Sequence, residues 1–263
     1  MAGSAAASNK AKIARRVIEV LDFFDDHHRA ATVMDIVRRY GWPQSSTSEL
    51  LSSLVELGLL SKNPTARSYS LTPRAALIGT SGQPEAARDG RLLHLIDRLA
   101  AQTGLGVGIF AITGLNAQLI AWRSAKPSPR GPHCGSQEPL CRSATGWLLL
   151  STIEQRRRDA MLRRLNAEAS DEAKFALPGM IARIDTCRRD GHAFGPGGFG
   201  SPGECLGVLL PAGIAGQQLA VSLFYRNEAR VNRQGLLQSV SDAIEHCLAS
   251  PEPAELAAFP TAA

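Results

Sequence analysis

Four polar residues, Gln44, Ser45, Ser46 and Ser48, follow a sharp Gly41-Trp42-Pro43 break. Gln can pair bidentately with adenine and Ser can reach base edges or phosphates, so on one face of a helix they have the chemistry to read DNA. Arg38 and Arg39 precede the break, and Lys62 and Arg67 follow the segment; these are the cations that would hold phosphates. Residues 43–57 themselves contain no Lys or Arg. Glu49 would repel phosphate if it faced DNA, but Ser46 and Glu49 have the Ser-x-x-Glu spacing of a capping box, in which that charge would serve the helix instead. For each cation taken alone, a solvated surface charge is the equal alternative.

A second set of residues has thiol and imidazole chemistry. His133, Cys134 and Cys141 could ligate a metal with His192 or Cys205 as a distant fourth, yet a structural zinc site shows two close pairs and only one loose pair is present. No metal and no cofactor is expected. Cys141 beside Arg142 has the cation but not the base that activates a thiol, so no catalytic residue is assigned; an enzyme using Cys141 with His133 or His192 is the reading from another class. Cys187, Cys205 and Cys247 fall on apolar faces and read as small buried hydrophobes. The stretch Gly195-Pro-Gly-Gly-Phe-Gly200 lacks the Lys-Ser/Thr ending of a phosphate loop and reads as an irregular, flexible lid. Arg156, Arg157 and Arg158 read as the exposed face of a helix.

The elements that must position these residues follow from periodicity. Ile13, Val17, Val20, Leu21 and Phe24 predict an amphipathic helix over 11–25. Thr32 is placed to cap a second helix carrying Val33, Ile36 and Val37, which ends before Gly41-Trp42-Pro43. After Pro43, Leu50, Leu51, Leu54 and Leu57 share one face and Gln44, Ser45, Ser48, Ser52 and Ser53 the other, until Gly58 stops the helix. LLSKN and RSYSLTP, around a turn at 64–66, predict a β-hairpin. Helix, helix, sharp turn, helix and hairpin is the order of a winged helix-turn-helix, whose third helix enters the major groove of double-stranded DNA.

Residues 80–89 are polar and Pro-interrupted and mark a linker. Beyond it come a helix at 90–104, two strands around Gly114-Leu115-Asn116, a long loop over 124–139, a buried-looking helix over 143–151, and a helix from a Ser151/Glu154 capping box to about 166. A helix over 177–190, two buried strands (CLGVLLP and QLAVSLFY) and a closing helix over 235–248 complete the pattern. The class is α+β, with an antiparallel sheet in the second domain. The expected division is 1–79 for the helix-turn-helix, 80–90 for the linker, 91–250 for the second domain and 251–263 for a flexible tail.

Composition agrees. The 263 residues suit two domains, and 44% hydrophobic with 20% charged residues is ordinary for a globular chain. No apolar run approaches the roughly 20 residues of a membrane span, and the N-terminal residues lack a secretory apolar stretch, so a cytoplasmic protein with reduced cysteines is expected. The formal charge of +5 fits a nucleic-acid partner, but ten basic against seven acidic residues within 1–80 is a small excess. DNA affinity must therefore come from placed contacts more than from bulk charge.

Three strings carry a family resemblance. WPQSSTSELLSSLVELGLL resembles the recognition helix of the IclR family of bacterial regulators, RSYSLTPRAALIG its wing and exit, and EPLCRSATGWLLLS its pocket segment, with the likeness running over about 11–249. The resemblance implies a winged helix-turn-helix joined to a GAF-like effector-binding and oligomerisation domain. It implies a transcription regulator that works as a homodimer or homotetramer on a palindromic operator and answers to a small, usually carboxylate-bearing metabolite. It also points to Cys141, Arg142, Ser143, Ala144 and Gly146, with Cys205 and Ser222 on facing strands, as the effector pocket; Arg142 could pair a carboxylate bidentately. A DNA-binding protein whose second domain only oligomerises is the alternative.

Overall fold

The computed structural model describes residues 3–24, 28–78, 89–124, 132–212, 217–226 and 231–248. Asp25 at the end of the first expected helix, nearly all of the expected linker, the middle of the 124–139 loop and the expected tail over 251–263 lie outside the described residues. The chain divides into two compact units, residues 1–82 and 83–263.

In the first unit, α1 (Gly3–Phe23) starts well before the apolar periodicity does. After β1 (Ala31–Thr32), Thr32 caps α2 (Val33–Tyr40): Asp35 N donates to Thr32 Oγ1 at 3.3 Å while Thr32 N donates to Asp35 Oδ2 at 2.8 Å. The helix stops where Gly41 turns left-handed at φ 68°. Pro43 then sets an extended entry to α3 (Gln44–Glu56), with Thr47, Leu51 and Leu54 buried. β2 (Leu60–Asn63) and β3 (Ser68–Leu71) form the hairpin, β1 pairs antiparallel with β3 to give the order β1-β3-β2, and α4 (Pro73–Leu77) follows. Val20, Ile36, Leu51, Leu54, Leu60 and Tyr69 close the core.

Two expectations fail in α3. The helix begins at Gln44, so Ser46 is its third residue and not a cap; its hydroxyl donates back to Pro43 O at 3.2 Å, and the Ser46/Glu49 capping box is absent. Leu57 is 58% exposed because the helix ends at Glu56 and the chain turns away at Gly58 before that residue can rotate inward.

The second unit is a six-stranded antiparallel sheet between two layers of helices. The strands β4 (Gly106–Thr113), β5 (Asn116–Arg123), β6 (Gln137–Pro139), β7 (His192–Gly198), β8 (Ser201–Leu209) and β9 (Ala220–Tyr225) are ordered β6-β5-β4-β9-β8-β7. Strand alternation sends Val107, Ile109, Val221 and Leu223 to one face, against α5 (Arg91–Thr103) and α9 (Arg233–Leu248). Phe110, Leu119, Ala220 and Phe224 go to the other, against α6 (Ala144–Ser151), α7 (Gln155–Glu168) and α8 (Leu177–Asp190). The architecture is α+β, as the pattern of elements predicts.

Four local readings need correction. Arg158, expected on an exposed helix face with Arg156 and Arg157, is buried, because it turns toward α8 and pairs with Asp185 at 2.7 Å. Part of the expected 124–139 loop is strand β6, too short at three residues to show a period. Ser151 ends α6 and donates to Leu148 O at 2.6 Å, while Glu154 alone caps α7 by accepting from Arg156 N at 3.1 Å and Arg157 N at 3.2 Å. The glycine-rich stretch expected to be an irregular lid is the β7–β8 hairpin, turning at Phe199 and Gly200. Its glycines answer a packing need: a Cβ at Gly195 would lie 2.9 Å from the Trp147 ring, so only glycine lets the strand meet α6.

Candidate nucleic-acid interface and buried polar cluster

Gln44 and Ser45 are exposed at the first turn of α3, and Ser46 and Ser48 are half-buried. Ser46 accepts a long hydrogen bond from Arg16 Nη1 at 3.4 Å. The Arg16 guanidinium stands 4.8 Å over the Trp42 ring, and Trp42 in turn stacks on Tyr40 at 4.7 Å with an interplanar angle of 17°. Tyr40 OH donates to Glu19 O at 2.8 Å, tying this stack back to α1. Arg16 therefore brings a cation from another helix to the first turn of α3, which has none. Its Nε is buried without a partner. Arg16 counts in the basic total of the sequence, but its pairing with Trp42 and Ser46 is non-local and has no signal in α1.

The expected phosphate contacts lie on the elements that flank α3 in the chain. Arg38 is 75% exposed, with Asp35 at 3.9 Å. Arg39, exposed, has its guanidinium 5.8 Å from the Tyr40 ring. Lys62 lies 5.7 Å from the Tyr69 ring on the hairpin. Arg67 is exposed and holds φ 50°, in a turn where Asn63 Oδ1 accepts from Thr65 N and Ala66 N, both at 3.0 Å. Thr32 N donating to Asp35 holds the Asp35 carboxyl below its usual range.

In the second unit, Ser143 caps α6 by accepting from Gly146 N at 3.1 Å. A side chain at Gly146 would run into the Leu140 carbonyl, so the segment before the helix lies directly on its first turn. Trp147 Nε1 donates to Cys141 O at 2.8 Å and fixes the same segment. Inside that turn, Thr145 Oγ1 lies 2.7 Å from Ser222 Oγ and 3.6 Å from Cys205 Sγ, all three residues fully buried. Cys205 Sγ also reaches Pro196 O at 3.7 Å. Phe110 stands beside Phe199 and Phe224 at 5.0 and 6.0 Å on the same side of the sheet.

Of the expected pocket residues, the structure brings Cys205 and Ser222 together through Thr145, which the sequence does not single out because every residue of α6 is buried and no polar face stands apart. Ser143, Ala144 and Gly146 form the helix turn above them. Arg142 is elsewhere: its side chain is 60% exposed and pairs with Glu138 at 3.3 Å, and Glu138 also accepts from Phe199 N at 3.1 Å. Burial pushes the Cys141 thiol up and the Cys187 and Cys205 thiols up to about 11. Those shifts disfavour the thiolate a nucleophile needs. His192 Nδ1 faces Asp190 O at 2.9 Å. Among the described residues no group of three or more His, Cys, Asp or Glu could hold a metal ion, and no helix is long and apolar enough to cross a membrane.

Residues 14–64 match the IclR helix-turn-helix domain. No curated protein matches the chain. An IclR homolog from Microbacterium hydrocarbonoxydans, complexed with 4-hydroxybenzoate, is similar with TM-score 0.58 at 17% identity, over 90% of this chain and 98% of that one. The IclR of Thermotoga maritima is similar with TM-score 0.56 at 14% identity, over 90% and 96%. An IclR effector domain from Acinetobacter sp. ADP1 is similar with TM-score 0.54 at 25% identity, over 62% of this chain and 96% of that one. With a helix-turn-helix of the IclR type over residues 14–64 and a second unit folded as in these structures, the chain is similar to the DNA-binding transcriptional regulators of the IclR family.

Proposed function

We propose that the first unit, over residues 1–79, reads a palindromic operator as part of a homodimer or homotetramer, with each α3 in a major groove about 34 Å from its mate. Gln44, Ser45, Ser46 and Ser48 make the base-edge contacts, and Arg38, Arg39, Lys62 and Arg67 clamp phosphates. Residues 80–90 are the linker to an effector-binding and oligomerisation domain over 91–250, and the protein works in the cytoplasm. One observation carries the reading of DNA: the first turn of α3 exposes Gln44 and Ser45 while its opposite face is locked into the core by Thr47, Leu51 and Leu54. Retention of the gene's own upstream fragment, measured against unrelated DNA at rising salt, tests it. Sequence-dependent retention that weakens with salt is expected, and equal retention of both fragments refutes the reading.

The second unit on this reading binds a small carboxylate-bearing metabolite near Ser143, Ala144, Gly146, Cys205 and Ser222, with Cys141 and Arg142 on the segment that leads into α6. A relative of the same fold holding 4-hydroxybenzoate supports it. One observation favours the alternative of a purely oligomerising domain: the Thr145 and Ser222 hydroxyls satisfy each other at 2.7 Å. Thermal shifts against a panel of small carboxylates separate the two, since a ligand bound only by the folded state raises Tm. A flat response across the panel supports oligomerisation alone. No turnover is assigned to the chain.

A further inference from the structure

A second place in the second unit has ligand-binding character and lies apart from the Thr145 cluster. Between α8 and the start of β7 is an open groove of about 460 Å³, in the range of small-molecule sites. Trp147 and Ala193, each less than a tenth exposed, form its floor, and Arg183, Thr186, Asp190 and His192 stand at its rim. The Arg183 guanidinium lies 4.8 Å over the Trp147 ring. Among the described residues it meets that ring and no carboxylate.

The charges around the groove leave this cation in excess. Asp190 is paired with Arg189 at 2.9 Å, and Asp185, on the same helix, with Arg158 at 2.7 Å. His192 Nδ1 faces the Asp190 carbonyl at 2.9 Å and can donate to it. A carboxylate accepting two parallel bonds from a guanidinium lies in its plane, and a ring conjugated to that carboxylate shares that plane. β7 is an edge strand, but exposed Pro196 lacks an N–H and interrupts any added strand, which favours a small molecule over an extended peptide or a second copy.

We propose that this groove binds a planar aromatic carboxylate, with its carboxylate on Arg183 and its ring lying along the groove beside the guanidinium. The site is independent of the effector reading given to the Thr145 cluster. Titration calorimetry of the full chain with 2-naphthoate, and with the uncharged 2-naphthamide, tests it. Naphthoate is expected to bind about tenfold or more tighter than naphthamide. Arg183→Gln, a change at an exposed position, is expected to erase that preference, while Arg164→Gln, at an exposed position outside the groove, leaves naphthoate affinity within about twofold. Absence of naphthoate binding overturns the proposal, as does an Arg183→Gln variant that binds like the parent. Naphthoate binding weakened as much by Arg164→Gln as by Arg183→Gln also overturns it, and leaves the effector reading standing.

Discussion

The first turns of α3 and α6 are both rich in small polar residues, and they put them to opposite uses. In α3, Gln44 and Ser45 face water, and Arg16 brings a cation to the turn from another helix. In α6, Ser143 and Thr145 are fully buried and spend their hydroxyls on Gly146 N and Ser222. A buried hydroxyl must find a partner inside the protein, whereas an exposed one keeps its hydrogen-bonding capacity for whatever docks there. The α3 turn therefore keeps groups free for the contact proposed for it, whereas the α6 turn spends its own on holding the second unit together.

That contrast can be broken most forcefully at Gly146. Glycine to alanine inside a helix ordinarily gains about 1 kcal/mol. At Gly146 the added Cβ meets the Leu140 backbone, so Gly146→Ala is expected to cost about 3 kcal/mol and lower Tm by roughly 10 °C. A thermal melt unchanged from the parent would show that the pre-helix segment yields freely.

Next in size is Thr145→Val, which leaves Ser222 buried without its 2.7 Å partner. A loss of about 1–3 kcal/mol is expected in urea unfolding, with Ser222→Ala added to it restoring part of the loss because both polar groups are then gone. Strict additivity of the two changes would deny the pairing. The matching change in α3, Gln44→Ala, should do the reverse: leave Tm within about 1 °C and weaken operator binding by about 1–3 kcal/mol, seen by fluorescence anisotropy. Arg16→Gln should also weaken binding, and flatten its salt dependence by about one unit of slope if the guanidinium meets a phosphate.

The smallest effect concerns the cap before the turn. Thr32→Ala is expected to cost about 1 kcal/mol. Asp35 is held below its ordinary value of 3.8 in the folded state, chiefly by the Thr32 N–H, so its contribution is present above that value and is lost as pH falls through the folded one. Thr32→Ala keeps that N–H and removes only the hydroxyl, which donates to Asp35 Oδ2 at 2.8 Å, so the hydroxyl's share alone makes the difference in stability between parent and variant shrink on acidification below about pH 4. A difference that is constant from pH 7 to pH 3 would contradict it.

Much of this was legible in the sequence where local signals decide the structure. Thr32, Gly41 and Pro43 punctuate α2 and α3 at the expected positions, and Leu51 and Leu54 face the core as their spacing requires. What escaped is non-local. The glycines of β7 look like irregular chain until Trp147 is seen against Gly195, and Thr145 is hidden in a helix buried on every side. Arg16 meets Ser46 across 30 residues of chain. Ser46 itself reads as a cap in sequence, yet Pro43 starts the helix earlier and takes that place.

The most direct test of the central claim is selection of genomic fragments by the purified full chain, run in parallel with Gln44→Ala. The parent should enrich fragments containing paired half-sites about 10 base pairs apart, and the variant should lose or relax preference within those half-sites. Enrichment of no sequence, or the same sequence preference at the same strength from both proteins, would contradict the assignment of α3 as the reading element.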